Sequence, residues 1–238
     1  MVHPITWFGL MPGINELPAH TVTATFVSAL LIVFAFVANR QLAQARDSGT
    51  ALVPDEKLTV RNLAELLVGG VQSMSDGVLG HAGRKYLGIF GTFFIFILVS
   101  NLLGLVPGFA PPTSNTNVTW GLGAASFAVF IGAGIHAHGL VAWAKHFVGP
   151  IWWLGVLMVP LEIIDHCVRP LSLGLRLYGN MHGDHLVLEI FTDLTKFGVP
   201  VVFYGLGTFV SLIQAFVFTL LTIIYVSLAV GGHGDDHH

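Results

Sequence analysis

The chain has 238 residues, of which 54% are hydrophobic and only 10% charged, with a formal net charge of −3. Soluble domains carry about 25% charged residues, so an ordinary soluble domain is excluded and one integral membrane domain over 1–238 is expected. Ten Lys and Arg, scattered along a slightly acidic chain, form no basic face and exclude a nucleic-acid partner.

Residues 1–20 hold no Lys or Arg, so the positive region of a cleavable signal is missing. The uncharged run 21–39 therefore reads as a retained first span, about one bilayer thick. Arg40, Arg46, Lys57, Arg61, Arg84 and Lys85 follow before the next apolar block. Within 58–80, Leu58, Leu63, Leu66, Leu67, Val71, Met74 and Val78 recur at near-helical spacing between polar residues, which predicts an amphipathic helix on the cytoplasmic surface.

No Asp, Glu, Lys or Arg occurs from Tyr86 to Ala144. Proline, glycine and polar residues over 107–119 break that block into spans at 86–106 and 120–144. Lys145 and His146 then mark an exit. Cations cluster at 40–85 and are missing from the N-terminus and the 107–119 turn. By the positive-inside rule the N-terminus and this turn lie outside, the cation cluster in the cytoplasm. Asn117 and Thr119 match a glycosylation sequon, read here as a polar turn.

The last third predicts two long helices, 150–190 and 198–230. Residues 201–230 alone would measure ~45 Å as a helix against a ~30 Å hydrocarbon core, and tilt or lateral packing absorbs the excess. The expected fold is all-α and polytopic: five membrane-crossing helices plus the surface helix, the last two long, steeply tilted and forming a hairpin. The C-terminus returns to the cytoplasm. The single cysteine, Cys167, rules out an internal disulfide and is expected to be a buried, inert thiol.

Arg176 stands out, because a guanidinium stays charged at any cellular pH. Placing it mid-membrane costs at least ~2.5–3.5 kcal/mol. Such a residue faces protein or water; the plainer alternative is an ion pair with a carboxylate on another helix. At 100° per residue Asn180 lies one turn along the same face, and Glu162 and Arg169 lie on nearly the same line. His185 points to the opposite face, with His182 and Glu189 three residues before and four after it. Asp184, His182, His185 and Glu189 supply titratable groups toward one side of the membrane, and Glu162, with Asp165 and His166, toward the other. This layout predicts two aqueous pockets separated by a fixed positive charge. Arg169 is expected to snorkel to the surface, His136 and His138 to be structural, Asp193 and Lys196 to form a solvated turn, and 233–238 to be a disordered tail.

The run Arg169-Pro-Leu-Ser-Leu-Gly-Leu-Arg176-Leu-Tyr-Gly-Asn180-Met181 closely resembles the signature of subunit a of F-type ATP synthases. Gln214-Ala-Phe-Val-Phe-Thr-Leu-Leu-Thr-Ile-Ile-Tyr225 is similar to that family's C-terminal motif, as are Asn101-Leu-Leu-Gly-Leu-Val-Pro107 and the turn holding Pro112, Thr113, Asn117 and Thr119. The resemblance implies a non-catalytic stator beside a rotating ring of c subunits, each with one mid-membrane carboxylate. It implies b subunits of a peripheral stalk and the rest of the complex as partners, a bacterial inner membrane as location, and no cofactor or metal. Arg176 maps onto the family's essential arginine, Asn180 and Gln214 onto the polar residues near it, and Glu162 onto an acidic position on the cytoplasmic exit side.

One departure is evident. Many bacterial members of the family carry an acid nine residues after the arginine and a histidine seven before the glutamine, and mitochondrial members exchange the two. Here those positions hold His185 and Gly207, and Glu189 or Asp184 is expected to replace the missing acid. The sequence has no G-x-x-x-x-G-K-[ST] phosphate loop. Two rival classes are an intramembrane metalloenzyme using His182, His185 and Glu189, and a haem- or quinone-binding respiratory subunit using His136, His138 and His166.

Overall fold

The structure is a computed structural model that describes residues 18–47, 59–106, 108–141, 143, 155–195 and 198–231. Lys57, Lys145, His146, Lys196 and the 233–238 tail lie outside the described residues. Among the described residues there are six α-helices: α1 (Ala19–Asp47), α2 (Val60–Leu79), α3 (Leu87–Gly104), α4 (Thr116–His138), α5 (Gly155–Leu194) and α6 (Val199–Val230). Short 3-10 turns at Gly80–Lys85 and Pro112–Ser114 join α2 to α3 and introduce α4. Four of the helices, α1, α3, α4 and α6, are long and apolar enough to cross a membrane. The chain is thus an all-α, polytopic membrane protein. The 40-residue α5 exceeds these in length but carries Glu162, Asp165, Arg169, Arg176, Asp184 and Glu189.

Local chemistry explains the helix ends. Thr59 caps α2 by accepting from the Asn62 amide at 3.3 Å, and Asn115 caps α4 by accepting from the Asn117 amide at 2.9 Å. α4 therefore starts at Thr116 and stops at Gly139, whose φ of 79° ends the helix, where the sequence pattern predicts 120–144. In α1 the hydroxyls of Thr23, Thr25 and Ser28 each donate to the carbonyl four residues back at 2.8 Å, which satisfies them inside an apolar helix.

The core is organised around α6. Phe93, Ile97 and Leu98 of α3 meet Leu173, Leu177 and Met181 of α5 and Ala215 and Phe218 of α6. A second cluster joins Val71 of α2, Phe90 of α3, Ala133 of α4, and Ile223 and Val226 of α6. Helices α4 and α5 approach until their backbones touch. A Cβ on Gly123 would stand 2.7 Å from the Pro170 carbonyl oxygen, and one on Gly174 would stand 3.0 Å from that of Thr119. Small residues at a membrane helix interface permit this closeness. Arg61 does not follow the expected polar face of α2: it is buried against α1, its backbone amide donating to Gln41 Oε1 at 3.0 Å and its Nε to Glu65 Oε1 at 2.7 Å.

Candidate functional site

Helices α5 and α6 run antiparallel. Phe191 stacks on Phe203 at 4.5 Å, Asp184 abuts Gly207, and Asn180 bonds to Gln214, so rising numbers on one helix meet falling numbers on the other. Leu173, Leu177 and Met181 recur every fourth residue and bury one face of α5. Arg176 belongs to the other face and is exposed, between Leu175 and Gly179, which are exposed too. Among the described residues its guanidinium forms no ion pair and no hydrogen bond. The alternative of an ion pair with a carboxylate on another helix is therefore not what the described residues form.

One turn from Arg176, the Asn180 amide donates to Gln214 Oε1 at 2.6 Å. Gln214 is almost fully buried and Asn180 exposed, so this bond joins α5 to α6 at the edge of the bundle and gives the buried Gln214 carbonyl oxygen a partner. About 12 Å along α5 from Arg176, at ~1.5 Å per residue, Asp184 and His185 turn into the bundle. His185 Nε2 lies 2.9 Å from where a Gly104 Cβ would stand, beside Pro111, and Asp184 Oδ2 lies 2.8 Å from where a Gly207 Cβ would stand. Both atoms are buried and unpaired among the described residues. His182 and Glu189 are exposed, and His182 stacks on Tyr178 with centroids 5.3 Å apart. Both stand near enough for their charges to act on His185.

Toward the other end of α5, Arg169 is held from three sides. Its Nη2 donates to Asp165 Oδ2, and its guanidinium lies 5.6 Å from the Phe130 ring centroid and 5.3 Å from that of Tyr225. Aromatic rings of α4 and α6 thus lie within cation–π reach of its guanidinium. A cavity of about 10 Å³, room for roughly one water, lies among Ser126, Phe127, Phe130, Arg169, Pro170, Leu173 and Tyr225. Ser126 and Thr222 share a 2.9 Å hydrogen bond at its edge. Glu162 Oε1 lies 3.7 Å from His166 Nδ1, but that nitrogen is only 2.7 Å from the Glu162 carbonyl oxygen. A carbonyl only accepts, so Nδ1 carries the hydrogen. Cys167 is exposed, which overturns the expectation of a buried thiol: Phe130 and Trp143 cover the neighbouring His166, whereas Cys167 falls on the same uncovered side as Ile164 and Val168.

Reading along the sequence missed Ser100, Ser211 and Thr219, all fully buried with unpaired hydroxyls among the described residues. An uncharged polar residue inside an apolar run was the signal that could have found them. No group of three His, Cys, Asp or Glu among the described residues is arranged to hold a metal ion, and His136 and His138 are exposed at the end of α4.

The ATP synthase A chain family matches residues 21–227. ATP synthase subunit a of Bdellovibrio bacteriovorus is 41% identical over 231 residues, covering 97% of this chain and 98% of that protein. The subunits a of Trichlorobacter lovleyi and Geobacter sulfurreducens are 42% and 40% identical, each covering 95% of this chain and 96% of the relative. With apolar helices of membrane-crossing length, an Arg176 unpaired among the described residues on an open face of α5 and likeness along nearly its whole length, the chain belongs to the ATP synthase A chain family.

Proposed function

We propose that this chain is the stator of the proton path in an F-type ATP synthase, working against a rotating ring of c subunits. A proton enters a half-channel from outside, past Asp184, His185, Glu189 and His182, and reaches a mid-membrane carboxylate on the ring. The neutralised carboxylate then turns through lipid. It releases its proton to a second half-channel lined by Glu162, with Asp165 and His166 beside it, on the cytoplasmic side. Arg176 stands between the two, attracting the deprotonated carboxylate and repelling a proton that would cross directly. Asn180 and Gln214 hold the polar surface beside it without adding charge. In this reading the chain performs no phosphate chemistry and needs no cofactor.

The observation that carries the proposal is the position of Arg176, a permanent cation with no partner among the described residues, on a face left uncovered by the chain's own helices. Leu171, Leu175, Leu186 and Ile190 extend that open face along α5, and Leu206, Phe209, Leu212 and Ile213 are open on α6. In this reading the chain makes five spans, with α5 and α6 as a tilted hairpin, α2 on the cytoplasmic surface, the N-terminus outside and the C-terminus inside a bacterial inner membrane. Peripheral-stalk b subunits hold the assembly still. The test is Arg176→Ala in the intact complex in vesicles. The complex assembles but ATP-driven proton pumping is lost; coupled pumping at the parent rate overturns the reading.

A further inference from the structure

Far from Arg176, helices α1, α2 and α3 enclose a cavity of about 670 Å³. That is within the ~300–1,000 Å³ typical of ligand sites. Its apolar walls run from Leu31 to Leu42 on α1 and from Leu87 to Ile95 on α3. Three glycines in the walls, Gly69, Gly88 and Gly91, enlarge it, for a Cβ on any of them would meet nothing within 4 Å. Thr92 adds no polar group to the wall, because its hydroxyl turns back to the Gly88 carbonyl at 2.8 Å.

The cavity is polar at one end only. There α2 contributes Arg61, Glu65 and Gln72. Arg61 Nε donates to Glu65 Oε1 at 2.7 Å, so the acid in the wall is matched by a cation. Exposed Arg46 lies one turn beyond Leu42 on the same face of α1, and exposed Arg84 and Lys85 immediately precede α3. Asp47 is the one acid in those two stretches, so the rim is positive. Lys85 Nζ lies 5.9 Å from the Tyr86 ring centroid, a basic and an aromatic residue together, as at a membrane–water interface.

Depth decides what fits. From Leu31 to Leu42 is ~16 Å at ~1.5 Å per residue, about half of a ~30 Å hydrocarbon core. Beyond Leu31 the outer half of α1 is closed: Phe26 stacks on Phe109 with centroids 6.4 Å apart, and Thr23 and Val27 are almost wholly buried. A transmembrane helix spans the full thickness and would have to part Phe26 from Phe109 to lie between α1 and α3. A lipid needs only one leaflet, apolar below and polar above.

We propose that this cavity binds an anionic phospholipid of the cytoplasmic leaflet, its acyl chain between α1 and α3 and its phosphate at the rim formed by Arg61 and Arg46. Basic pockets between membrane helices on the cytoplasmic side suit such headgroups. The bound lipid fills the wedge and braces α1 against α2 and α3. The choice of leaflet rests on the orientation proposed above.

The test places the intact complex in phosphatidylcholine vesicles holding a trace of phosphatidylglycerol with a photoreactive acyl chain. Light is expected to label peptides from 31–42 and 87–95. Phosphatidylcholine with the same reactive chain labels them at least roughly fivefold less, the worth of one cation near an anionic headgroup. Arg46→Gln lowers labelling by the anionic probe roughly fivefold, and Arg46→Lys restores it. Gly91→Leu fills the cavity and abolishes labelling there, with assembly checked by copurification; if it does not assemble, Gly88→Leu, at an exposed position, takes its place. Equal labelling by the two probes, or labelling unchanged by the leucine variant that assembles, overturns the proposal. A photoreactive side chain in place of Ala38 captures lipid; capture of another subunit overturns it as well. Orientation is read separately, from Arg46→Cys in a Cys167→Ser complex treated with a membrane-impermeant maleimide. Reaction from the outer side overturns the leaflet and the orientation together, whereas reaction from the cytoplasmic side without lipid labelling overturns the lipid site alone.

Discussion

The Asn180 amide donates to Gln214 Oε1 at 2.6 Å, linking α5 to α6 one helical turn from Arg176. Interhelical hydrogen bonds in membranes average only ~0.6 kcal/mol and reach ~1.7, so the bond is too weak to hold the fold and fits a positioning role. Asn180→Ala and Gln214→Ala, singly and together, are expected to show a coupling of about 0.6–1.7 kcal/mol in a double-mutant cycle. Thermal unfolding in detergent measures it, and strictly additive losses would show that the two amides do not meet.

Arg176→Lys is expected to fail almost as completely as Arg176→Ala. A lysine ammonium lacks the planar fork and loses its proton when desolvated, whereas a guanidinium keeps its charge. The complex should copurify at the parent yield with ATP-driven pumping abolished. Normal pumping by the lysine variant would mean that any cation suffices at this position.

Arg169 is steadied more by its aromatic cage than by its carboxylate. Asp165 is half exposed, which limits that ion pair to about 0–1 kcal/mol. The rings of Phe130 and Tyr225 meet the cation where it is more shielded, worth about 0.5–2 kcal/mol. Tyr225→Leu should therefore lower the unfolding temperature more than Asp165→Asn. The opposite order would refute the cage.

Gly123→Ala places a methyl group 2.7 Å from a backbone carbonyl that cannot swing aside. A loss of about 1–3 kcal/mol follows from such overpacking, as α4 and α5 are pushed apart. Gly132→Ala on the same helix meets nothing within 4 Å and should be neutral or slightly stabilising. Detergent unfolding of the pair separates a steric effect from a general intolerance of side chains on α4.

Most of the helical framework was legible from the residues themselves. The cost of burying charge confines Lys and Arg to short stretches, and runs such as 21–39 and 86–106 are long enough to span hydrocarbon. Boundaries were less legible, because a cap such as Asn115 or a positive-φ glycine such as Gly139 decides the last turn. The spacing of Arg176, Asn180 and His185 also fixed their relative angles, since 100° per residue holds along any one helix.

What spacing could not supply was the neighbour covering each face. Whether Arg176 pairs or stays open, whether aromatic rings reach Arg169, and whether Cys167 is buried all depend on where α4 and α6 lie across from α5. The approach of Asp184 to Gly207 joins residues 23 positions apart in sequence on antiparallel helices. A missing side chain leaves no mark in a hydrophobic pattern. The sequence by itself determined the membrane class, the helices and the buried-charge problem, because those follow from solvation and from the geometry of a single helix. Tertiary structure decided which groups meet, because contacts between helices depend on packing that no local rule encodes.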